Sequence, residues 1–243
     1  MRPRLVSCVF GPEPYPRLAR VLDYSARVHC AGWDVQLLRT PPATCDPRDG
    51  TPLSSALGKT SHVTNTQKML VWAAVVETAP DDTPILLIDC DTFITRPLDD
   101  IWAQPFDFAY TTKPDSRFPF NSGVVFVRAT DRTRQFFRRW RDENLMMLRD
   151  RDHHQAWRAR YGGINQAALG RALEAGWTSD LVRLELPCQE WNCEDAHWRT
   201  FDPAVTRIVH VKSALRLAVL GYGPVLPSLR PLVHAWQVLE SRA

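Results

Sequence analysis

The stretch that most constrains this chain is Ile85-Leu86-Leu87-Ile88, which runs straight into Asp89-Cys90-Asp91-Thr92-Phe93-Ile94. Four apolar residues with no polar alternation describe a strand buried on both faces, the kind found in parallel sheets covered by helices. Two aspartates spaced i, i+2 project to the same side of an extended chain. In open α/β sheets ligands gather beyond the carboxyl ends of the strands, where this pair falls. Asp89 and Asp91 are hard oxygen donors, so the expected ligand is Mn²⁺ or Mg²⁺ carrying phosphate oxygens. A second Asp-x-Asp, Asp150-Arg151-Asp152, lies in a polar, arginine-rich stretch and reads as a solvated helix end.

The rest of the chain supplies elements to surround such a strand. A first strand ends near Phe10, and Gly11-Pro12-Glu13-Pro14 breaks the chain. Leu18, Val21, Leu22 and Val28 then recur at helical spacing between Tyr15 and Ala31, and Trp33 to Leu38 reads as a strand. Proline and glycine mark Thr40 to Ser61 as a loop or lid. A helix is expected from Thr64 or Asn65 to about Ala79, with Met69, Leu70, Trp72, Ala73 and Val76 inward. Beyond the aspartates, strands are expected over Phe106 to Tyr110 and Phe120 to Arg128, with a mobile stretch at Thr111 to Pro119 between them. Asp131 is the expected cap of a helix that buries Phe136, Phe137 and Trp140. A helix opens at Gly162-Gly163-Ile164-Asn165-Gln166 and stops at Gly176. Strands over Leu181 to Leu186 and Val205 to Val211 and a closing helix after Leu226 complete an α/β pattern.

At 243 residues and 44% hydrophobic content the chain can bury a full core as a single domain. A net charge of +3 is too mild to demand a nucleic-acid partner. No transmembrane segment is expected, and the apolar run at the amino terminus is too short for a signal peptide. The six cysteines form no C-x-x-C pair, which points to free thiols and a cytoplasmic protein.

The order of parts is specific: an apolar strand with Asp89-Cys90-Asp91, then Asn121-Ser122-Gly123 leading a strand, then Gly162-Gly163-Ile164-Asn165-Gln166, then His210-Val211-Lys212. It resembles the nucleotide-sugar glycosyltransferases of GT-A fold, in their glycogenin-like and bacterial galactosyltransferase-like branch. The resemblance implies a Rossmann-like, mixed, mostly parallel sheet flanked by helices. Residues to about 110 would form a nucleotide-binding half, 111–215 an acceptor-side half and 216–243 a closing tail. It also implies that Asp89, Asp91 and His210 ligate the metal and that Lys212 meets the donor diphosphate. Phe10 and Gly11 would seat the base, Lys68 would reach the donor, and Asn121, Ser122 and Gly123 would lie beside its sugar. The expected reaction is metal-dependent transfer of a sugar from a nucleoside diphosphate sugar, a UDP-sugar by preference and with retention.

Asp91, Asn165 and Gln166 are the expected catalytic residues, but two departures from the family pattern qualify the resemblance. Where the family carries Asp-Gln, this chain has Asn165-Gln166, and an amide hydrogen-bonds a sugar without acting as base or ionised nucleophile. The family's glycine after the late histidine is replaced by Ser213-Ala214-Leu215-Arg216, where Arg216 is a candidate for the phosphate charge. Two other classes share parts of the pattern: a haloacid-dehalogenase-type phosphatase, which also uses a strand-terminal D-x-D, and a non-catalytic carbohydrate-binding protein. The acceptor is open among a glycan, a lipid-linked sugar, a protein and a modified nucleic acid.

Overall fold

The computed structural model describes residues 1–39, 44–113 and 117–243. Strands and helices alternate in the order β1 (Arg4–Cys8), α1 (Tyr15–His29), β2 (Asp34–Leu38), α2 (Thr60–Thr78), β3 (Pro84–Asp89), β4 (Thr92–Ile94), β5 (Phe108–Thr112), β6 (Phe120–Arg128), α3 (Asp131–Arg149), α4 (Arg151–Tyr161), α5 (Ile164–Glu174), β7 (Arg183–Pro187), α6 (Cys188–Trp191), β8 (Ile208–His210), α7 (Ser213–Leu220) and α8 (Arg230–Glu240). No helix among the described residues is long and apolar enough to cross a membrane.

Six strands form one mixed sheet in the order β2-β1-β3-β6-β5-β7. The pairs β1–β2, β1–β3 and β5–β7 are parallel, and β6 runs antiparallel to both neighbours. This is the α/β fold the sequence predicts, with the apolar run at its centre. Side chains alternate between two cores with the strand period of two. Ile85, Leu87, Val125 and Val127 meet Met69 and Trp72 of α2, Phe136 and Trp140 of α3, and Leu169 of α5. Leu86, Ile88, Val124 and Phe126 face Leu22 and Ala26 of α1, Ile101 and Trp191. Full burial of each such side chain contributes about 1.5–3 kcal/mol, so the strand that carries the aspartates is held from both sides.

The apolar run departs from expectation in one respect. It does not stay extended through Ile94: β3 ends at Asp89, Cys90 and Asp91 form a turn, and β4 pairs with β8 in a separate two-stranded sheet. Behind that small sheet Phe93 packs on Trp236 of α8 at 5.8 Å between ring centroids, anchoring the carboxyl-terminal helix against the site strand.

Several boundaries also shift. Helix α2 begins at Thr60, so the loop expected to Ser61 ends earlier, and residues 40–43 of that expectation lie outside the described residues. The stretch expected to be mobile between Thr111 and Pro119 gives its first two residues to β5, and residues 114–116 lie outside the described ones. The cap of α3 is Thr130 rather than Asp131, because Thr130 Oγ1 accepts from Thr133 N at 3.3 Å while Thr133 Oγ1 accepts from Thr130 N at 2.8 Å. Asp150 ends α3 and caps α4, accepting from His153 N at 3.0 Å, so the second Asp-x-Asp is a helix junction.

Candidate active site

The break after β3 creates the site. Asp89 is the last residue of β3, Thr92 Oγ1 donates to Asp89 O at 2.7 Å across the turn, and Val211 N donates to Asp91 O at 2.7 Å. Pairing of β4 with β8 places His210 opposite Thr92. A histidine 119 positions after Asp91 is thereby carried to both acids. His210 Nε2 stands 3.3 Å from Asp91 Oδ1 and 3.9 Å from Asp89 Oδ2. The one-sided projection expected of an unbroken strand is replaced by a turn, yet the carboxylates converge as required.

The imidazole is held in a ligand-competent form by its neighbours. His210 Nδ1 lies 3.1 Å from Asn192 Oδ1. The Asn192 amide is oriented by its own Nδ2, which donates to Thr111 Oγ1 at 3.0 Å, and Thr111 in turn donates to Asn121 O at 3.0 Å. With Oδ1 toward the ring, Nδ1 faces Asn192 and Nε2 faces the aspartates, the orientation that metal-bound histidines adopt. One ligand atom from each of Asp89, Asp91 and His210 lies within 4.8 Å of the others. Two oxygens and one imidazole nitrogen suit Mn²⁺ or Mg²⁺ with positions left for phosphate oxygens. The backbone makes room for the cluster at Gly123, where a Cβ would come within 2.7 Å of Asp89 Oδ2 and 2.8 Å of His210 Cε1.

Cations surround the acids. Lys68 of α2 pairs with Asp89 and lies over the Trp72 ring at 4.5 Å, and Arg216 of α7 pairs with Asp91. Burial works to raise the Asp91 carboxyl, but His210, Arg216 and Lys68 outweigh it and hold the group well below the usual carboxylate range. Asp91 is therefore anionic at neutral pH.

Two cavities meet at Lys68 and Asp89. The larger, about 530 Å³, is lined by Phe10, Gly11, Tyr15, Thr64, Asp91 and Arg216 among others. The smaller, about 170 Å³, is bounded by Asn121, Ser122, Asn165, Gln166, His210 and Lys212. Every residue singled out from the sequence thus lines one of the two or, for Gly123, packs on the cluster between them. Asn165 is buried in a polar chain in which Thr66 Oγ1 donates to Asn144 Oδ1 and Asn144 Nδ2 donates to Asn165 Oδ1, both at 2.9 Å. Its own Nδ2 has no hydrogen-bond partner among the described residues. Gln166 spends its Nε2 on the carbonyls of Tyr161 at 2.8 Å and Phe120 at 3.2 Å, so its amide nitrogen braces the walls.

Two residues of the site, Glu194 and Asn192, carry no local sequence signal. Glu194 is fully buried and pairs with Lys212 and Lys113, and it accepts from Asn121 Nδ2 at 2.7 Å. Asn121 Oδ1 then accepts from Gly123 N at 2.7 Å, so Glu194 links the late lysine to the Asn-Ser-Gly triplet. Asn192 completes the set. Ser213, which stands in place of the family's glycine, takes a positive φ of 46° that glycine would adopt more readily. Trp191 and Trp198 are core residues.

A mixed sheet with an acid, acid and imidazole cluster at the end of its central strand, flanked by two cavities, defines a GT-A glycosyltransferase. The nucleotide-diphospho-sugar transferase family matches residues 59–207, more than half of the chain. Among solved structures the fold is similar to "a glycosyltransferase involved in the glycosylation of the major capsid of PBCV-1", with TM-score 0.61, 14% identity and coverage of 89% of this chain and 96% of that one. It is also similar to the apo form of the glycosyltransferase GlyE of Streptococcus pneumoniae TIGR4, with TM-score 0.61 and 15% identity, covering 100% of this chain and 63% of that one. No curated protein matches the chain in sequence. The chain belongs to the nucleotide-diphospho-sugar transferase family. Membership sets aside the phosphatase alternative.

Proposed function

We propose that the protein transfers a sugar from a UDP-sugar to an acceptor hydroxyl, with retention and with Mn²⁺ or Mg²⁺ as cofactor. The observation that carries this reading is the convergence of Asp89, Asp91 and His210 at the seam between a nucleotide-sized cavity and a smaller, sugar-sized one. A divalent ion there supplies Lewis-acid stabilisation of the diphosphate leaving group. Asp89, Asp91 and the Nε2 of His210 hold it. Phe10 and Gly11 bound the nucleotide end, while Lys68, Arg216 and Lys212 supply positive charge for the departing phosphate oxygens. Asn121, Ser122 and Asn165 supply hydrogen bonds to the sugar, and the unpartnered Asn165 Nδ2 is a donor suited to one of its hydroxyls.

In the reaction the acceptor oxygen bonds to the anomeric carbon as the bond from that carbon to the β-phosphate oxygen breaks. The acceptor proton passes to the departing phosphate on the same face, giving UDP and the new glycoside. The makeup of the smaller cavity supports this course: among the described residues its polar groups, apart from Asp89, are amides, a hydroxyl, an imidazole and lysines, with no carboxylate placed as a separate base. The test is thermal unfolding with UDP and Mn²⁺. The pair should stabilise the wild type by mass action and leave Asp91→Asn unshifted. Equal shifts in both proteins would remove the metal site from the reading.

A further inference from the structure

A third cavity, about 640 Å³, opens beside the other two. It shares Asn65 with both, Ser61 with the nucleotide-sized cavity, and Gly163 and Ile164 with the sugar-sized one. Among the described residues its charged lining is of one sign: Lys59, Arg117 and Arg158, with no carboxylate in the wall. Nearby arginines are paired, Arg149 with Asp49, Arg160 with Glu174 and Arg171 with Glu143. Among the described residues Lys59, Arg117 and Arg158 have no carboxylate partner, and the Arg117 guanidinium lies over the Phe118 ring at 5.3 Å.

The field of these cations is felt in the wall. Burial, then Lys59 and Arg158, push the His62 imidazole down and keep it neutral. Two helices begin at the cavity, α2 just after Lys59 and α5 just after Gly163, and neither N-cap side chain takes up the first N–H groups. Such ends favour an anion. Gly163 and Ile164, at the start of α5, line both this cavity and the sugar-sized one, so a ligand held here lies next to the donor sugar. A volume near 640 Å³ suits a small ligand rather than the face of a polymer.

We infer that this cavity is the acceptor site and that the acceptor carries an anionic group, a phosphate or a carboxylate on a sugar ring, gripped by Lys59, Arg117 and Arg158. The inference rests on the sugar-transfer reading above. An unpaired carboxylate or phosphate brought among three cations replaces water with charge-assisted hydrogen bonds, and a neutral sugar of the same shape gains none of them.

The experiment is calorimetric titration of the protein saturated with UDP and Mn²⁺, using hexose 6-phosphates, hexuronates and the matching neutral hexoses as probes. The anionic sugars should bind at least tenfold tighter than the neutral ones, and the two anionic arms tell phosphate from carboxylate. The triple variant Lys59→Ala, Arg117→Ala, Arg158→Ala should lose that preference while binding UDP and Mn²⁺ as the wild type does. The milder pair Lys59→Gln, Arg158→Gln should lose most of it. Equal binding across the set, no binding at all, or a preference that survives both variants overturns the inference. A failure of UDP and Mn²⁺ themselves to bind counts instead against the sugar-transfer reading, and the same probe set without nucleotide still reports on the anion site.

Discussion

A Cβ atom on Gly123 would stand 2.7 Å from Asp89 Oδ2, closer than side-chain carbons approach a carboxylate. The same atom would meet His210 Cε1 at 2.8 Å and Asn121 Oδ1 at 2.9 Å. The glycine of the Asn-Ser-Gly triplet is thus a spacer for the acid and imidazole cluster, and a methyl group there must displace one of its members. Gly123→Ala is expected to cost about 1–3 kcal/mol in urea unfolding. It should also weaken Mn²⁺ binding at least about tenfold, because ligand orientation is lost. Titration of Mn²⁺ in the presence of UDP measures the second effect, and an unchanged affinity would mean that the cluster relaxes around the methyl.

Asn192 holds the tautomer of His210 without touching the acids. Replacing its amide by a methyl leaves Nδ1 without an acceptor and frees the ring to turn Nε2 away from Asp91. Asn192→Ala should therefore lower Mn²⁺ affinity by about 10- to 100-fold. Asn192→Asp keeps an acceptor at Nδ1 and should restore most of the affinity. Equal losses in the two variants would point to packing, since Asn192 is fully buried, rather than to control of the ring.

The acids, the histidine and both cavity walls were legible because each rides on a strong local signal. The apolar run fixes β3, and the glycines and the late His-x-Lys punctuate the rest. Glu194 and Asn192 were not legible, since the stretch Asn192-Cys193-Glu194 has no period and its burial comes from contacts 73 to 81 residues away with Asn121, Thr111 and Lys113. Helix α4 has no amphipathic signature for a related reason: His154 is its one buried residue, so an apolar face is missing. Thr130 displaced Asp131 as a cap because its reciprocal bond with Thr133 satisfies two backbone donors, a pairing that residue type alone does not reveal.

Glu194 is the counter-charge of two lysines, and Lys113 is itself only 8% exposed. Glu194→Gln removes the charge but keeps the shape, so Lys113 is left ionised in a buried place. The expected loss is about 3–5 kcal/mol of stability, read from denaturant midpoints. Adding Lys113→Met to that background should recover part of the loss, because the orphaned charge is gone. A double variant no more stable than Glu194→Gln alone would show that the glutamate acts through Asn121 and Lys212 instead.

His154 gives the fold a specific response to acid. Burial first, then His62, Arg158, His153 and Lys59, push its imidazole down to about 4, and its Nε2 has no hydrogen-bond partner among the described residues. Its ring meets that of His62 edge-on at 4.7 Å. Between the ordinary value of 6.5 and about 4, the unfolded chain takes up a proton that the folded protein refuses. Stability from this residue is therefore complete above the ordinary value and is lost as the pH falls through that window, levelling off below about 4. At pH 5 the loss amounts to at most about 2 kcal/mol. His154→Gln cannot titrate, so the stability difference between wild type and variant, measured by urea unfolding at pH 7 and pH 5, should shrink by that amount on acidification. A difference that stays constant across the two conditions would mean that the buried ring takes up its proton as readily in the folded protein as in the unfolded chain.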